Sequence, residues 1–487
     1  MRASFSKKSI GAMESAKRCL RKAAAEVKAY QQFLRDRQAG ESRELHAFPL
    51  TDKQCYLMRY PFADLLAGEW EETFAVFSSS GSSGHPFYWP QLKSAHRASS
   101  ARLRHFLEAV FAVHERRTLA IVGLALGSWI GGDHFSWVLK DMAIEVPYGF
   151  AVFSPGNRHA EIIEIIRQAE CFVDQIILFV CPSAIGHLRL LAEEEGQALP
   201  LSKLRYIVLG EPFPENLRSS LEHSAGLTPS ASVMFSIYGS ADTGVLGFES
   251  PASVLLRKLC QQQQGVAEAL GVPSTIPTFF HLADPEAFLE EVDGELCVTK
   301  WQGIPLLRYN LHDRVQLFEW KAICEALGQI GSPSLPPELS RTFLSAALAE
   351  LPDLLAILGR ADRCLILCGT NLTEYMLDEA VRAPELQPYL TGLYRARIGF
   401  ARERQHLELL LEFKGGIQVS EQTLDEVYRR LVVTLGRAQP EFADDWNNVY
   451  SRWDDDPAHR ILQLQGVSWP TLSHETESSI KQRGIVA

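Results

Sequence analysis

The sequence predicts an α/β protein, with a large N-terminal domain of mostly parallel sheets layered with helices and a small C-terminal α+β domain. Short runs of Ile, Val, Leu and Phe recur without polar alternation, as in "TLAIVGLALG", "DQIILFVC", "LRYIVLG" and "SVMFSIYG". Such runs are typical of parallel strands that are buried on both faces. Helical stretches such as "NRHAEIIEIIRQAE" and "AIGHLRLLAEEE" lie between them, and this alternation indicates an α/β domain.

Composition limits the classes of partner. The chain has 487 residues, of which 46% are hydrophobic and 22% are charged, and its net charge is −11. This length accommodates two or more domains. The negative charge argues against an electrostatic grip on nucleic acid or on an anionic membrane, so we expect neither as a partner. The apolar runs are too short to span a bilayer and no segment resembles a secretory signal, so the sequence predicts a cytoplasmic protein.

The 9 cysteines are scattered and form no Cys-x-x-Cys pair. Ligand spacing therefore argues against a zinc site. Several of the cysteines stand inside strand-like apolar segments, where a buried and unreactive thiol is the simpler interpretation. A reducing compartment is the expected environment.

Three of the apolar runs end in polar, turn-rich segments. These are "CPS" at residues 181–183, "GEPFP" at 210–214 and "YGSADTG" at 238–244. In open parallel sheets, ligands bind beside the carboxyl ends of the strands. The sequence therefore predicts a functional site where these segments meet.

After residue 360 the pattern changes to that of a small α+β domain. Strands are predicted at "CLILCG", "HLELLLEFKG" and "HRILQLQGV", and helices at "LTEYMLDEAV" and "LDEVYRRLVVTL". The second helix follows Ser420, a suitable N-cap, and its apolar face consists of Leu424, Val427, Tyr428, Leu431 and Val432. We expect residues 1–360 to form the large domain and residues 361–487 the small domain.

The stretch "SSSGSSGHPFYWP" is either a flexible linker or an anion-binding loop. Aromatic residues follow the glycines at once, which indicates a loop packed at its base. Backbone N–H groups of small residues converge readily on anions, serine hydroxyls add donors, and Gly81 and Gly84 permit positive φ angles. The loop lacks a Gly-Lys-Ser/Thr end, so it is not of the Walker type.

This loop resembles the serine/threonine/glycine-rich loop of the adenylate-forming superfamily, which includes acyl-CoA synthetases, adenylation domains of peptide synthetases and luciferases. Later segments resemble the superfamily's motifs in the same order. "GEP" resembles the adenine-side loop, "YGSADTG" the "YG-x-x-E" motif, "LLRYNLHD" the "RYRTGD" segment, and "LGRADRCLILCGTNLTEYMLDEAV" the hinge region. "FPLTDKQCYLMRYPF" and "GTN" resemble the phenylacetate-CoA ligase branch. The resemblance runs from about residue 20 to the C-terminus.

The resemblance implies two half-reactions. A carboxylate attacks the α-phosphate of ATP to give an acyl-adenylate and pyrophosphate, and a thiol or amine then displaces AMP. The first step requires neutralisation of the triphosphate charge and alignment of two anions. ATP, Mg²⁺ and, as acceptor, CoA are the expected cofactors and co-substrates. The expected partners are a small carboxylic acid and either CoA or a carrier protein, and association into a homodimer stays open.

The same match assigns the nucleotide-binding residues. The loop that holds the leaving phosphates corresponds to Ser79, Ser80, Gly81, Ser82, Ser83 and Gly84. The adenine and ribose pocket corresponds to Gly210, Glu211, Pro212, Tyr238, Gly239 and Asp313. Tyr238 would stack on the base, and Asp313 would bind the ribose unless it only pairs with Arg308 or Arg314. Asp242 replaces the usual glutamate as the Mg²⁺ ligand; without the motif it would be a turn aspartate.

Further matches concern the junction and the tail. Arg360 matches the arginine that reaches the nucleotide. Asp362 matches the hinge about which a mobile small domain rotates between half-reactions. Lys481, in "SIKQRGIVA", is the candidate for the catalytic lysine, and a solvated tail lysine is the alternative.

The carboxylic acid is expected beside the segment "GSWIGGDHF", read as a glycine-rich loop. Its candidate contacts are Trp129, His134, Phe135 and Ser183. In the superfamily an aromatic residue gates this pocket, and His134 or Phe135 is the candidate gate; a structural histidine is the alternative. Resemblance to the branch favours a small aromatic or heteroaromatic acid.

The motifs also depart from the superfamily. Phe87 stands where a lysine is usual, "RTGD" has become "NLHD", and the "RG" after the hinge has become "CG". Three functions therefore stay open: an acid–CoA ligase, an adenylating enzyme that hands the acyl group to a carrier protein or an amine, and a catalytically weakened nucleotide-binding pseudoenzyme. For CoA, the candidate 3′-phosphate contacts are Arg395, Arg397, Arg402 and Arg404.

Overall fold

The computed structural model describes most of both predicted domains. The residues it describes are 7–39, 44–68, 70–78, 87–128, 130–196, 198–210, 213, 215–224, 233–272, 276–330, 351–360, 364–401, 404–472 and 485. Within this part of the chain, no helix is long and apolar enough to cross a membrane. All 9 cysteines lie in the described ranges, and none of them forms a disulfide there.

The helices are α1 (Lys7–Glu26), α2 (Lys28–Asp36), α3 (Phe62–Leu65), α4 (Lys93–Phe111), α5 (Ile130–Glu145), α6 (His159–Ala169), α7 (Pro182–Glu194), α8 (Glu215–Ser224), α9 (Pro251–Gln262), α10 (Gln264–Ala269), α11 (Trp320–Ile330), α12 (Glu374–Val381), α13 (Glu421–Ala438) and α14 (Pro440–Asn448). Short helical turns of other types are Leu45–Ala47, Lys53–Leu57, Trp70–Glu72, Leu201–Lys203, Tyr450–Trp453 and Pro457–His459.

The strands are β1 (Thr73–Ser78), β2 (Tyr88–Leu92), β3 (Thr118–Gly123), β4 (Phe150–Phe153), β5 (Gln175–Val180), β6 (Leu204–Val208), β7 (Met234–Ser240), β8 (Gly244–Phe248), β9 (Thr278–Leu282), β10 (Phe288–Val292), β11 (Glu295–Lys300), β12 (Leu306–Phe318), β13 (Leu354–Arg360), β14 (Cys364–Leu367), β15 (Thr370–Thr373), β16 (Leu390–Ala401), β17 (Arg404–Phe413) and β18 (Leu462–Ser468).

The unalternating apolar runs form the parallel half of an 11-stranded sheet. The strand order is β10-β11-β12-β13-β9-β8-β7-β6-β5-β3-β4, and the strands from β7 to β4 pair in parallel. All residues of β3 and β5 are buried. One face of these strands packs against α6 and α7, and the other against α4 and α5. Burial on both faces explains why hydrophobic residues occupy consecutive positions.

The other half of the sheet differs from the expectation of mostly parallel pairing. From β7 to β10 every pairing is antiparallel. Short turns join β7 to β8 and β10 to β11, and such turns allow only antiparallel neighbours, because a parallel pair needs a long crossover. The large sheet is therefore mixed, and its parallel part is the part that the apolar runs predict.

The small domain has the predicted α+β character. β14 and β15 form a hairpin, and β16, β17 and β18 form a separate sheet. α13 begins as predicted, since the Ser420 side chain accepts a hydrogen bond from the backbone N–H of Thr423. A large layered domain followed by a separate strand-rich domain confirms the fold class. The exact boundary at residue 360 stays a prediction, although β13 ends at Arg360 and β14 begins at Cys364.

One buried apolar cluster joins the two domains. It contains Leu188 from α7 and Leu409 from β17. The ring of His187, also on α7, lies 5.2 Å from the ring of Trp453 and 5.6 Å from that of Tyr450. Aromatic rings and aliphatic side chains thus pack the small domain against α7.

A pair of carboxyl groups on α14 lies at the same contact. Asp445 accepts hydrogen bonds from the Asn157 side chain of the large domain (3.1 Å) and from Oγ1 of Thr370 (2.8 Å). Burial nevertheless raises the pKa of Asp445 to about 6. Burial, reinforced by the charges of Asp445 and Asp444, raises the pKa of Glu441 to about 8.

These two carboxyl groups should make stability depend on pH. In an unfolded chain they titrate near pH ~4, so between about pH 4 and pH 8 the folded chain binds more protons. The free energy of unfolding should therefore fall as the pH rises through this window. In Glu441→Gln much of the slope should disappear, and the variant should be more stable than the wild type at about pH 8. Urea denaturation across this pH range measures both effects.

The control is Glu421→Gln, because Glu421 is an exposed carboxylate in the first turn of α13. It should keep the slope of the wild type. A Glu441→Gln variant whose slope equals that of the control would contradict the assignment.

Candidate active site

Residues from three predicted motifs converge at one end of the large sheet. Oη of Tyr238, on β7, donates a hydrogen bond of 2.5 Å to Oδ2 of Asp313, on β12. Asp313 in turn pairs with Arg360 of β13 in antiparallel register. The structure therefore brings together the predicted base-stacking, ribose-binding and nucleotide-reaching positions, with Arg360 placed by its backbone. Arg308 pairs with Glu290 instead of Asp313, which removes one of the two alternatives for Asp313.

This convergence requires a strongly curved sheet. Three strands separate β7 from β12 in the strand order. In a flat sheet the two strands would lie about 19 Å apart at the usual spacing of ~4.8 Å. The 2.5 Å contact between Tyr238 and Asp313 is possible only because the sheet twists and curls.

Asp242 follows β7 and is held from two sides. Its carboxylate accepts a hydrogen bond of 2.7 Å from Oη of Tyr309, and its backbone carbonyl accepts one of 2.8 Å from the Gln302 side chain. Burial and the negative charge of Asp242 raise the pKa of Tyr309 well above its ordinary value, so Tyr309 remains a donor at neutral pH. A carboxylate that is held in position by a neutral hydrogen-bond donor can serve as a ligand for a hydrated Mg²⁺ ion.

Lys53 is a candidate site residue that the sequence analysis did not single out. Thr51, two residues earlier, exchanges backbone hydrogen bonds with Arg308 and Asn310 of β12 and so adds this segment to the sheet. Burial lowers the pKa of Lys53, and the charge of Asp242 acts in the opposite direction, so the two side chains lie within electrostatic reach. The available signal was a lysine inside "FPLTDKQCYLMRYPF", the segment that resembles the phenylacetate-CoA ligase branch.

The altered residues of "NLHD" are engaged with one carboxylate. Asn310 Nδ2 donates to Glu295 at 2.7 Å, and His312 Nδ1 lies 3.1 Å from the same oxygen. His312 takes φ 58°, a left-handed conformation that favours glycine. The superfamily's glycine at this position thus has a conformational reason, and the histidine adopts the same backbone shape while Asn310 accepts a hydrogen bond from its N–H.

Phe87, which replaces the usual lysine of the phosphate loop, is a core residue. It is buried, and its ring lies 5.0 Å from that of Trp89 and 6.4 Å from that of Phe62. Residues 79–84 precede it and lie outside the described part of the chain. The aromatic packing expected at the base of this loop is present at Phe87.

A buried ion network supports the loop after β6. The guanidinium of Arg218, on α8, makes two hydrogen bonds of 2.7 Å to Glu249 and lies 4.7 Å from the ring centre of Phe213. Arg257, on α9, donates to the carbonyl of Phe213 at 2.7 Å. Since Phe213 follows the "GEP" segment directly, this network fixes one end of the predicted adenine-side loop.

The turn between β14 and β15 brings the small domain against the end of β5 and the "GEP" segment. Gly369 and Gly210 both take positive φ angles, 91° and 88°. A Cβ at Gly369 would stand 2.8 Å from Sγ of Cys181, and one at Gly210 would stand 3.3 Å from the same sulfur. Gln405 of β17 binds this turn, donating to the carbonyl of Ile366 and accepting from the N–H of Cys368. The turn, the "GEP" segment and the end of β5 are therefore in contact.

The segment expected as a glycine-rich loop is mostly helical. α5 begins at Ile130, so His134 and Phe135 lie in its first turns. The prediction of a loop was wrong beyond residue 129. Gly131 and Gly132 lie within α5, where Gly132 packs so closely against the backbone of Ala125 that a larger residue would not fit. Phe135 is buried in the core beside Phe179.

His134 lies among positive and titratable groups. Burial first, and then the charges of His96, Lys300 and Arg102, lower its pKa to about 4. It is thus neutral at physiological pH. Lys300 donates to the carbonyl of Thr243, so this cluster adjoins the segment that carries Asp242.

Several predicted residues lie outside the described part of the chain. These are Ser79, Ser80, Gly81, Ser82, Ser83, Gly84, Trp129, Glu211, Pro212, Asp362, Arg402 and Lys481. The side chains of Ser183 and Arg360 also lie outside it. Gly239 is described, and a Cβ there would stand 2.4 Å from the carbonyl oxygen of Gly244, so a tight turn requires this glycine.

We expect Tyr238→Phe to lower the free energy of unfolding by about 1–3 kcal/mol, because it removes the hydroxyl that donates to the buried carboxylate of Asp313. Tyr60→Phe removes a similar tyrosine–aspartate hydrogen bond of 3.0 Å at the surface. It should change stability by no more than about 0.5 kcal/mol. Urea denaturation measures the free energy of unfolding of both variants. Equal decreases in the two variants would contradict the larger contribution that we expect from the buried hydrogen bond.

Comparison with known proteins supports the fold. No protein-family model and no curated protein sequence matches the chain. Among solved structures, 2-hydroxyisobutyryl-CoA ligase in complex with 2-HIB-AMP and CoA in the thioesterification state matches with a TM-score of 0.64 at 13% identity, over 99% of this chain and 89% of that chain. The same ligase in the postadenylation state with R3-HIB-AMP gives 0.50 at 14% identity, over 98% and 88%. The chain therefore has the two-domain fold of the adenylate-forming CoA ligases, the fold that its motifs predict.

Proposed function

We propose that the protein activates a carboxylic acid with ATP as an acyl-adenylate and transfers the acyl group to the thiol of CoA. The observation that carries this proposal is the convergence of Tyr238, Asp313 and the backbone of Arg360. Each of these positions comes from a different predicted motif, and the curled sheet brings the three together.

Each predicted site residue has its own role in this proposal. Asp313 accepts hydrogen bonds from the ribose hydroxyls, and Tyr238 both stacks on the base and orients Asp313. Arg360 approaches the phosphates from the paired strand. Asp362 acts as the hinge after β13, with the domain boundary at residue 360, and the serine–glycine segment 79–84 wraps the leaving pyrophosphate.

The side chains at the site fit an Mg²⁺ ion that is held mainly by the phosphates of the nucleotide. Among the described residues, no group of three or more His, Cys, Asp or Glu side chains is arranged to hold a metal ion. Magnesium commonly takes one or two protein carboxylates and completes its shell with phosphate oxygens and water, so Asp242 alone suffices. The ion would neutralise phosphate charge, and Tyr309 would keep the Asp242 carboxylate oriented toward it.

Lys53 supplies a cation that the loop lacks at Phe87. A half-buried ammonium close to Asp242 is placed to contact the β- and γ-phosphates, where a charge is worth more than in water. Burial lowers the pKa of Lys53, the charge of Asp242 opposes that shift, and a bound triphosphate would further favour the charged form. Lys481 is the second cation of the proposal, by resemblance, and would polarise the reacting carboxylate and α-phosphate.

Fewer observations support the identities of the acid and of the acceptor. A small aromatic or heteroaromatic acid is proposed from the resemblance to the phenylacetate-CoA ligase branch. CoA is proposed because the structurally similar ligase binds 2-HIB-AMP and CoA and because the Gly369 turn of the small domain lies against Cys181 and the "GEP" segment of the large domain. A reducing, cytoplasmic setting suits the 9 cysteines, which form no disulfide in the described ranges.

Acid-dependent exchange of pyrophosphate into ATP tests the first half-reaction. Across a panel of aryl, heteroaryl and aliphatic acids we expect exchange with an aromatic or heteroaromatic acid. Asp242→Ala, Asp313→Ala and Lys53→Met should each lower the rate by about 10²–10³-fold, the usual loss when one preorganised charge contact is removed. Lys481→Ala tests the tail lysine in the same assay.

Matched surface variants control for the change of charge. Asp378→Ala removes an exposed aspartate of α12, and Lys321→Met removes an exposed lysine of α11. Both should leave exchange unchanged. Binding of AMP without exchange for any acid would identify a pseudoenzyme, and exchange without a CoA thioester would identify a carrier-protein or amine acceptor.

Gly369→Ala tests the transfer step. The new Cβ would meet Sγ of Cys181, and a positive φ disfavours alanine by about 1–2 kcal/mol. We expect thioester formation to fall by about tenfold while pyrophosphate exchange is kept.

The control for backbone strain alone is Gly416→Ala. Gly416 also has a positive φ, but a Cβ at this position would have no atom within 4 Å. It should leave thioester formation unchanged. The double variant Cys181→Ala/Gly369→Ala removes the steric conflict and should recover part of the rate; equal effects of the two glycine substitutions would refute the role of the turn.

A further inference from the structure

The end of strand β11 holds the turn that carries Asp242. Nζ of Lys300, the last residue of β11, donates a hydrogen bond of 3.0 Å to the carbonyl oxygen of Thr243. Two residues later, Nε2 of Gln302 donates a hydrogen bond of 2.8 Å to the carbonyl oxygen of Asp242. Two consecutive carbonyl groups of the turn are therefore bound by one short segment, residues 300–302.

These two contacts restrict the backbone that follows Asp242. A peptide unit is planar, so a bound carbonyl oxygen fixes the orientation of its whole plane. The Asp242 carboxylate is held separately, by the hydroxyl of Tyr309. The backbone and the side chain of Asp242 thus have different anchors, and the backbone anchor depends on Lys300 and Gln302.

The hydrogen bonds within the turn have another role. The N–H of Thr243 donates to Oγ of Ser240 at 3.2 Å, and the N–H of Ser240 donates to Oγ1 of Thr243 at 3.3 Å. These bonds join residues of the turn to each other. The bonds from Lys300 and Gln302 join the turn to the segment that follows β11, so they determine where the turn lies.

The ammonium group of Lys300 is itself held in place by Asp284. It lies 2.7 Å from Oδ2 of Asp284, and the two side chains are only 9% and 1% exposed. Oδ1 of Asp284 accepts a hydrogen bond of 3.1 Å from the N–H of Glu286 and lies 3.5 Å from Nη1 of Arg102, on α4. Because three groups contact this carboxylate, it gives Lys300 a fixed position.

Stability alone does not explain a buried ion pair at this place. The cost of removing two charges from water is similar to the gain from their attraction, and well-packed apolar side chains often replace such a pair without loss of stability. Asp284 also neutralises Lys300, so this lysine is not a free cation for the phosphates. The contact that an apolar side chain could not supply is the hydrogen bond from Lys300 to Thr243.

We propose that Lys300 is a positioning residue, which acts with Gln302 to hold the turn in the conformation that presents the Asp242 carboxylate to Mg²⁺. Lys300 contacts neither the ion nor the nucleotide in this role. The inference rests on the proposed function in one respect, namely that Asp242 is the Mg²⁺ ligand.

Hydrogen–deuterium exchange of the full chain without ligand measures how firmly the turn is held. Lys300→Met and Gln302→Met each remove one donor, so the amides of residues 238–244 should exchange about tenfold faster than in the wild type. The matched control is Lys203→Met, which removes a lysine that donates to the backbone carbonyl of Val173 at 3.0 Å, away from the turn. It should leave these amides unchanged.

Calorimetric titration with ATP, with and without Mg²⁺, tests the consequence for the site. In the wild type Mg²⁺ should strengthen ATP binding, and this gain should fall by about tenfold in Lys300→Met and in Gln302→Met. Without Mg²⁺ both variants should bind ATP like the wild type, because neither side chain contacts the nucleotide. Lys203→Met should keep the full gain.

Two double variants separate positioning from general damage. If Lys300 acts through Asp242, Asp242→Ala/Lys300→Met should lose no more of the Mg²⁺ gain than Asp242→Ala, because the effects of coupled residues are not additive. Lys300→Met/Asp284→Asn removes both charges of the buried pair. It should recover the urea midpoint that Lys300→Met loses, while the amides of the turn still exchange rapidly.

The inference is overturned if the amides of the turn stay protected in both single variants, if those variants keep the Mg²⁺ gain, or if the wild type has no such gain. Additive losses in Asp242→Ala/Lys300→Met, or a protected turn in Lys300→Met/Asp284→Asn, would also overturn it. Pyrophosphate exchange is measured in parallel. Its absence in the wild type would refute the proposed function, whereas a Mg²⁺ gain that is lost in the two single variants would still support the positioning role.

Discussion

The curvature of the 11-stranded sheet is the constraint on which the site depends. Residues that lie on β7 and β12 touch only because the sheet curls through the three strands between them. Curling follows from the right-handed twist of the strands, which accumulates from one strand to the next across the sheet. Asp313 and Arg360 both belong to the antiparallel half, and Tyr238 lies on β7, where the two halves join.

The departures from the superfamily motifs form a pattern of local replacement. Phe87, at the position where a lysine was expected, packs against Trp89, and Lys53 lies within electrostatic reach of Asp242. Where a glycine was lost, His312 keeps the left-handed backbone and binds Glu295. Phe87 and His312 are each accommodated by a contact with a described neighbour.

The parts of the fold that sequence reasoning predicted are those in which local pattern and burial agree. β3 and β5 are hydrophobic because both faces are covered, and Ser420 caps α13 because its side chain meets an otherwise unpaired N–H. The antiparallel pairings were not predicted, since half-exposed strands such as β10 carry weak patterns. Lys53 was not predicted because its proximity to Asp242 joins residues that are distant in sequence and gives no local signal.

The shared apolar cluster between the domains has a consequence for any reorientation of the small domain. Moving Trp453 and Leu409 away from α7 would expose hydrophobic surface to water, which is unfavourable in proportion to its area. A freely swinging lid would hold such surface exposed for most of its path. Any other orientation of the small domain would therefore need another apolar surface on the large domain to cover these side chains.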